Sequence, residues 1–170
     1  MSKTVQYYDA GLERYPLRDA VLCNLLMAVL VGAGTIACWL ISPVLGGLYL
    51  AFSLVMIYVV LRRLVCTRCY YYGKRCGAGW GRLAAVMFSR RRPEEFNENA
   101  GIRLAPAVYG LVMLLPLGAL GVLLARGATT SLLVLLAVIL GIGFYSAGPG
   151  RKRACAACKM RLFCKGSMAK

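Results

Sequence analysis

The chain has 170 residues, of which 60% are hydrophobic and only 16% are charged, whereas about half of a soluble domain is apolar, so a soluble globular fold is excluded. Lysine and arginine nevertheless outnumber aspartate and glutamate by 21 to 6, which is typical of a membrane protein whose loops on one side are basic. Because histidine is absent, haem held by histidine, serine–histidine or cysteine–histidine catalysis and histidine-based zinc hydrolase sites are also excluded.

Hydropathy predicts four membrane-spanning helices, and we expect an all-α polytopic membrane protein. At about 1.5 Å per residue, the first apolar segment is long enough to cross a hydrocarbon core of roughly 30 Å. The fourth is shorter, and the Gly148–Pro149–Gly150 turn is predicted to end it. None contains a charged residue, which argues against the proton relays of transporters. The four segments are Ala20–Ile41, Leu45–Leu61, Leu104–Ala125 and Leu132–Ala147.

The distribution of basic residues predicts the orientation in the membrane. Every lysine and arginine except Arg126 lies before the first segment, between the second and third, or after the fourth. By the positive-inside rule, both termini and the central loop are expected in the cytosol, with the protein integral to the cytoplasmic membrane. The expected organisation is an N-terminal segment (1–19), a transmembrane hairpin (20–61), a basic loop (62–103), a second hairpin (104–147) and a basic tail (148–170).

Six of the eight cysteines lie in two short windows, one after each predicted hairpin. The first window has the spacing C-x2-C-x6-C and the second C-x2-C-x5-C. Their equivalent places indicate an internal repeat of the architecture. The cysteines are Cys66, Cys69 and Cys76 in the central loop, and Cys155, Cys158 and Cys164 in the tail.

This spacing suits a metal site made jointly by the loop and the tail. A C-x2-C turn directs two thiolates at one ion, and a second such turn completes a tetrahedral shell. The reducing cytosol disfavours disulfides, which leaves metal or redox roles. We expect neighbouring bases to lower the thiol pKa values and to offset the thiolate charge. These bases are Arg68, Lys74, Arg75, Lys159, Arg161 and Lys165.

With lysine and arginine between its cysteines, C-x2-C-x6-C resembles half of the fungal binuclear zinc-cluster motif, in which six cysteines hold two zinc ions. The resemblance covers only the two windows, and it implies coordination chemistry without DNA binding. Zinc, in a mono- or binuclear site, is therefore the favoured cofactor. An iron–sulfur cluster is the alternative, although the dense cysteine run of ferredoxins is absent. Uncoordinated thiols for redox sensing or metal handling are a third interpretation.

The chain has no paired catalytic carboxylates and no phosphate-binding glycine loop, so we expect a scaffold or accessory protein and not an enzyme. The alternative function is an iron–sulfur membrane subunit that passes electrons to a quinone-like carrier. The expected partners are anionic lipid headgroups and either another protein or a second copy of the chain; nucleic acid is not expected. A short helix over Gly81–Phe88, continued by the bases Arg90, Arg91 and Arg92, is predicted to meet those headgroups.

Smaller features give local expectations. Pro93 followed by two glutamates predicts a helix start. The tyrosines Tyr70–Tyr72 and Trp80 are interpreted as an interfacial aromatic belt. Cys23 is expected to be a small core residue, and Cys38 is assigned no role. Small residues predicted to mark close helix packing include Gly32, Gly110, Gly118 and Gly121.

Overall fold

The computed structural model describes residues 5–169, and within this range the secondary structure is helical apart from one isolated bridge between Leu12 and Cys158. Four helices are long and apolar enough to cross a membrane, as the hydropathy predicts. Only 11% to 33% of the most apolar window of each helix is buried inside the chain, so most of this apolar surface needs lipid or a partner to cover it. The four are Leu17–Trp39, Pro43–Arg68, Ala100–Arg126 and Thr130–Ala156.

The second and fourth spans are each made of several helical segments. The first span, in contrast, is a single helix, α1 (Leu17–Trp39). The second joins α2 (Pro43–Leu54), a π-helical stretch (Val55–Val60), α3 (Leu61–Val65) and a 3-10 turn (Cys66–Arg68). A short helix, α4 (Gly81–Met87), lies in the central loop. The third span is α5 (Ala100–Arg126), and the fourth consists of α6 (Thr130–Ala147) and α7 (Pro149–Ala156).

The helix ends differ from the predicted ones at the two cysteine windows. The second helix continues past Leu61 to Arg68, since arginine heads can reach the interface while their stems stay apolar. The fourth predicted segment ends as expected, since α6 stops at Ala147 and Gly148 is a turn, but Pro149 then starts a further helix, α7, that extends the span to Ala156. Each C-x2-C motif therefore begins in the last turn of a spanning helix.

The core lies between the spanning helices, where α1 packs against α2, α5 and α6. Ala37, Ile57 and Ile139 are fully buried there. Tyr49 is also buried, and its hydroxyl donates a hydrogen bond of 2.9 Å to the carbonyl oxygen of Val112 on α5. This bond satisfies a polar group inside an apolar core, as buried polar groups require.

The small residues that permit close packing are not the ones the sequence suggested. A Cβ at Gly32, or at any of the three predicted positions on α5, would meet nothing within 4 Å, so this prediction was wrong. Between α1 and α2, the close approaches occur at Gly34 and Gly46, and α5 and α6 have others at Gly101 and Gly143. A Cβ at Gly34 would lie 2.4 Å from the Tyr49 hydroxyl, and one at Gly46 would lie 2.9 Å from the Trp39 Cα.

Candidate functional site

The two cysteine windows fold into loops with the same backbone hydrogen bonds. We call residues 66–79 the first cysteine loop and residues 155–167 the second. In the first loop, backbone N–H to O bonds join Cys69 to Cys66 (3.3 Å), Tyr72 to Cys69 (3.1 Å) and Lys74 to Tyr71 (2.9 Å). In the second, the equivalent bonds join Cys158 to Cys155 (3.2 Å), Arg161 to Cys158 (3.0 Å) and Phe163 to Met160 (3.1 Å). The windows are thus alike in turn geometry as well as in cysteine spacing.

The match continues at the third cysteine of each loop. Gly79 N–H donates to the Cys76 carbonyl at 2.8 Å, and Ser167 N–H donates to the Cys164 carbonyl at 3.1 Å. The second loop reaches this turn one residue earlier, as its shorter spacing requires. In the first loop, Gly79 has a φ of 75°, a left-handed conformation that glycine adopts without strain.

The two loops contact each other beside Cys69 and Cys158. Tyr70 N–H, directly after Cys69, donates to the Met160 Sδ at 3.2 Å, and Lys159 N–H, directly after Cys158, donates to the Tyr71 hydroxyl at 3.1 Å. The six cysteines predicted from the sequence thus lie on two loops that meet next to the second cysteine of each C-x2-C motif.

The six cysteines do not surround a common point. No three cysteine, aspartate or glutamate side chains within residues 5–169 are close enough together to hold a metal ion. None of the cysteines forms a disulfide.

The thiol pKa values differ from the expectation. Burial raises the pKa of the Cys69 thiol and that of the Cys158 thiol, so the predicted lowering by nearby bases was wrong for this pair. The bases have other partners. Arg68, only 8% exposed, pairs with Glu95 at 3.2 Å and donates to the Leu64 carbonyl at 3.1 Å. Both thiols are consequently protonated at neutral pH, and a bound metal would have to displace these protons.

Residues 8–15, which we call the N-terminal strap, lie against both cysteine loops. Its backbone bonds to the second loop are Tyr8 N–H to the Lys159 carbonyl at 2.8 Å and Leu12 N–H to the Ala157 carbonyl at 2.9 Å. Its bond to the first loop is Tyr15 N–H to the Arg75 carbonyl at 3.1 Å. Close packing at Gly11 adds to these bonds, since a Cβ there would lie 2.8 Å from the Lys159 nitrogen.

Glu13 of the strap bonds to both loops at once. Its Oε1 lies 2.9 Å from the Lys159 Nζ, and its Oε2 lies 3.4 Å from the Lys74 Nζ. The Tyr70 hydroxyl also donates to Oε2. The hydrogen bond from Tyr70, followed by that from Lys159, lowers the pKa of Glu13 to about 2. The carboxylate is therefore ionised at any physiological pH.

Residues 93–97 make a second connection between the loops. They form a 3-10 helix at the predicted helix start, and Glu95 on it pairs with Arg68 of the first loop. Asn97 bonds to the second loop on both sides of Cys164. Its Nδ2 donates to the Phe163 carbonyl at 2.7 Å, and its Oδ1 accepts from Lys165 N–H at 2.9 Å.

Two of the aromatic residues near the loops hold other parts of the chain together. Tyr71 is 2% exposed; its hydroxyl donates to the Leu12 carbonyl at 2.7 Å and accepts from Lys159 N–H at 3.1 Å. Trp80 donates to Asn24 of α1 at 2.6 Å, and its ring lies 4.7 Å from that of Tyr58. The interpretation as an aromatic belt was wrong for Tyr71, whose ring and hydroxyl are enclosed by protein.

The two remaining cysteines differ in their surroundings. Cys38 is buried in the core between the helices, with 1% of its surface exposed. Cys23 is exposed, so the expectation of a core residue was wrong. Its thiol interacts electrostatically with Cys76 of the first loop and with Arg62.

The outer face of α4 is apolar with a basic edge. Val86 is 85% exposed, and Leu83 and Met87 are about half exposed. Arg82 on the same face and the three arginines that follow α4 are exposed as well. On the inner face, a Cβ at Gly81 would lie 2.1 Å from the Tyr71 carbonyl oxygen, so α4 packs directly on the first cysteine loop.

Neither the acid on the strap nor the amide at residue 97 belongs to any motif, and sequence reasoning missed both. The only signal at Glu13 is that it is one of six acidic residues in a strongly basic chain. No protein-family model, curated protein or solved structure matches this chain, so the chemistry of the site is argued from its own residues.

Proposed function

We propose that the chain is an integral membrane scaffold or accessory protein whose two cysteine loops jointly hold a metal ion, with zinc favoured. The observation that carries the proposal is that two loops with the same hydrogen-bond pattern contact each other beside Cys69 and Cys158, each the second cysteine of a C-x2-C motif. Two such motifs supply the four thiolates of a tetrahedral structural zinc site. The third cysteines, Cys76 and Cys164, allow a binuclear site with six thiolates.

The surroundings of the thiols favour a site that closes when metal binds. The hydrogen bonds of Tyr70 to Met160 and of Lys159 to Tyr71 already hold the two loops together beside Cys69 and Cys158. Zinc releases the thiol protons on binding, and its coordination energy offsets the cost of drawing the remaining cysteines inward. The lysines and arginines of both loops balance the negative charge of a thiolate-bound zinc.

The proposed orientation places two transmembrane hairpins in the cytoplasmic membrane, with both termini and the central loop in the cytosol. The charge distribution supports it, because Arg126 alone among the bases falls in the other predicted loops. The hydrogen bonds of the strap to both cysteine loops also support it, since they require these three basic segments to lie on the same side. The basic outer face of α4 would then contact anionic headgroups, leaving the rest of the platform for a protein partner or a second copy.

Metal analysis of anaerobically purified protein tests the proposed function. We expect colourless protein that carries zinc in a fixed ratio to the chain. Brown protein with iron and acid-labile sulfide would contradict the zinc site and support the alternative, an iron–sulfur subunit in electron transfer. Protein that binds no metal, and gains none when zinc is supplied under reducing conditions, would contradict both.

A further inference from the structure

The N-terminal strap bonds to both cysteine loops near Cys69 and Cys158. The second loop is bound through backbone atoms at Tyr8 and Leu12, and the first through Tyr15. The Tyr15 hydroxyl also reaches the Ala154 carbonyl at 2.6 Å, just before the second C-x2-C motif. The strap therefore spans the junction between the loops and does not extend either one of them.

From this placement we infer that Glu13 is a positioning residue, which fixes the first cysteine loop relative to the second. This inference deepens the proposed function, on which it rests for the metal. Glu13 is the acid whose two carboxylate oxygens are divided between the loops, with Oε1 on Lys159 and Oε2 on Lys74 and Tyr70. No other carboxylate within residues 5–169 forms ion pairs with both loops.

Two of the partners of Glu13 lie next to Cys69 and Cys158 in the sequence. Lys159 directly follows Cys158, and Tyr70 directly follows Cys69. A carboxylate that binds both neighbours sets the distance between the two sulfurs without touching either of them. The Lys74 Nζ also bonds to the Tyr70 hydroxyl at 3.0 Å, so the contacts of the first loop to Glu13 reinforce one another.

Removing the carboxylate would leave each loop folded while loosening their junction. The internal hydrogen bonds of each loop do not involve the strap. Tyr71, which bonds to Leu12 and Lys159, preserves part of the junction when Glu13 is replaced. We therefore expect a weaker metal site and faster separation of the loops, without loss of the helical core.

The first test measures zinc release to a chromophoric chelator from full-length protein in detergent. We expect Glu13→Ala to release zinc at least tenfold faster than the unaltered chain. Glu13→Gln should lie between the two, because its amide oxygen still accepts from one loop, whereas its NH2 group cannot accept from the other and the charge is lost. Asp19→Ala is the control, since Asp19 pairs with its neighbour Arg18 and not with the loops. Equal release rates for Glu13→Ala and Asp19→Ala would overturn the inference.

A second test needs no metal and separates this inference from the proposed function. In a full-length chain that retains only Cys69 and Cys158, with the other cysteines replaced by serine, a short bismaleimide joins the two thiols, as intact mass reports. We expect Glu13→Ala to lower the cross-linking rate at least tenfold, and Gly11→Ala to do the same by pushing the strap away from Lys159.

The two readouts fail in different ways. A protein that holds no zinc but cross-links in a Glu13-dependent manner would refute the metal site and leave the positioning role of Glu13 standing. Cross-linking that is unchanged in both variants would overturn the positioning role, whatever the metal content.

Discussion

Gly34 is a residue at which α1 passes close to α2, opposite the Tyr49 hydroxyl. The hydroxyl is held there by its hydrogen bond to Val112, so it cannot move away without losing that bond. Gly32, two positions earlier on the same helix, has open space where a Cβ would stand. The two glycines form a natural matched pair.

We predict that Gly34→Ala lowers the free energy of unfolding by about 1–3 kcal/mol, because a methyl group forced into a packed contact costs that much. Gly32→Ala is expected to be neutral, or to stabilise by up to about 1 kcal/mol through the lower entropy of its unfolded chain. Reversible unfolding in mixed micelles measures both variants. Equal effects at the two positions would mean that α1 and α2 do not approach each other at Gly34.

The sequence could not have distinguished these two glycines. Both lie in an apolar helix with no polar face, and periodicity identifies a buried face only where polar residues mark the opposite one. Glu13 and Asn97 could not be identified either, because their partners lie far away in the sequence and only the fold brings them together. The cysteines were recognisable because spacing within one short segment carries their chemistry.

At the scale of elements, α4 packs on the first cysteine loop with one face and exposes an apolar surface on the other. Gly81 and Ala84 face the loop, while Leu83, Val86 and Met87 face outward. The run Arg90–Arg92 is anchored by Arg91 N–H, which donates to the Thr67 carbonyl at 2.9 Å. Because that anchor is a backbone bond, the three side chains can be altered without displacing it.

We predict that anionic lipid stabilises the chain through these arginines. In nanodiscs, adding phosphatidylglycerol to phosphatidylcholine should raise the thermal midpoint of the unaltered protein. Replacing Arg90, Arg91 and Arg92 together by glutamine should remove most of this gain, since each base near a charged surface contributes about 1 kcal/mol. Arg126→Gln, at the predicted opposite face of the membrane, is the control. An undiminished gain in the triple variant would show that α4 does not meet the headgroups.

The second and fourth spans both extend beyond the apolar segments that predict them. Gly148 is a turn at the expected end of α6, but Pro149 occupies the first turn of α7, which runs to Ala156. The second span likewise runs past its arginines to Arg68. As a result, both C-x2-C motifs start on helix ends, a similarity that the predicted boundaries only partly revealed.

For the whole molecule, composition predicted the class of fold and not the arrangement of the site. Four apolar stretches predict four spanning helices because the cost of placing charge in lipid restricts each stretch strongly. No comparable rule predicts that residues 8–15 pack between two cysteine loops, since that segment is short and mixed in character. The joint nature of the site could be hypothesised from the repeated spacing, whereas its strap and its Asn97 contact came from the fold.

Two similar cysteine loops, one at the end of the second spanning helix and one at the end of the fourth, are joined to each other. The strap and the 3-10 helix at residues 93–97 make protein contacts to both loops. In the proposed function, a zinc ion adds a further link. A metal shared between the loops would stabilise the basic platform more than two separate ions, because only a shared metal closes the long chain segment between them.

The most direct test of the shared site is the metal content of single cysteine variants. We predict that Cys66→Ser, in the first loop, and Cys155→Ser, in the second, each lower bound zinc and thermal stability, because each removes a ligand of one common centre. Cys38→Ser, in the core away from both loops, should change neither. Wild-type zinc content in both Cys66→Ser and Cys155→Ser would contradict the account.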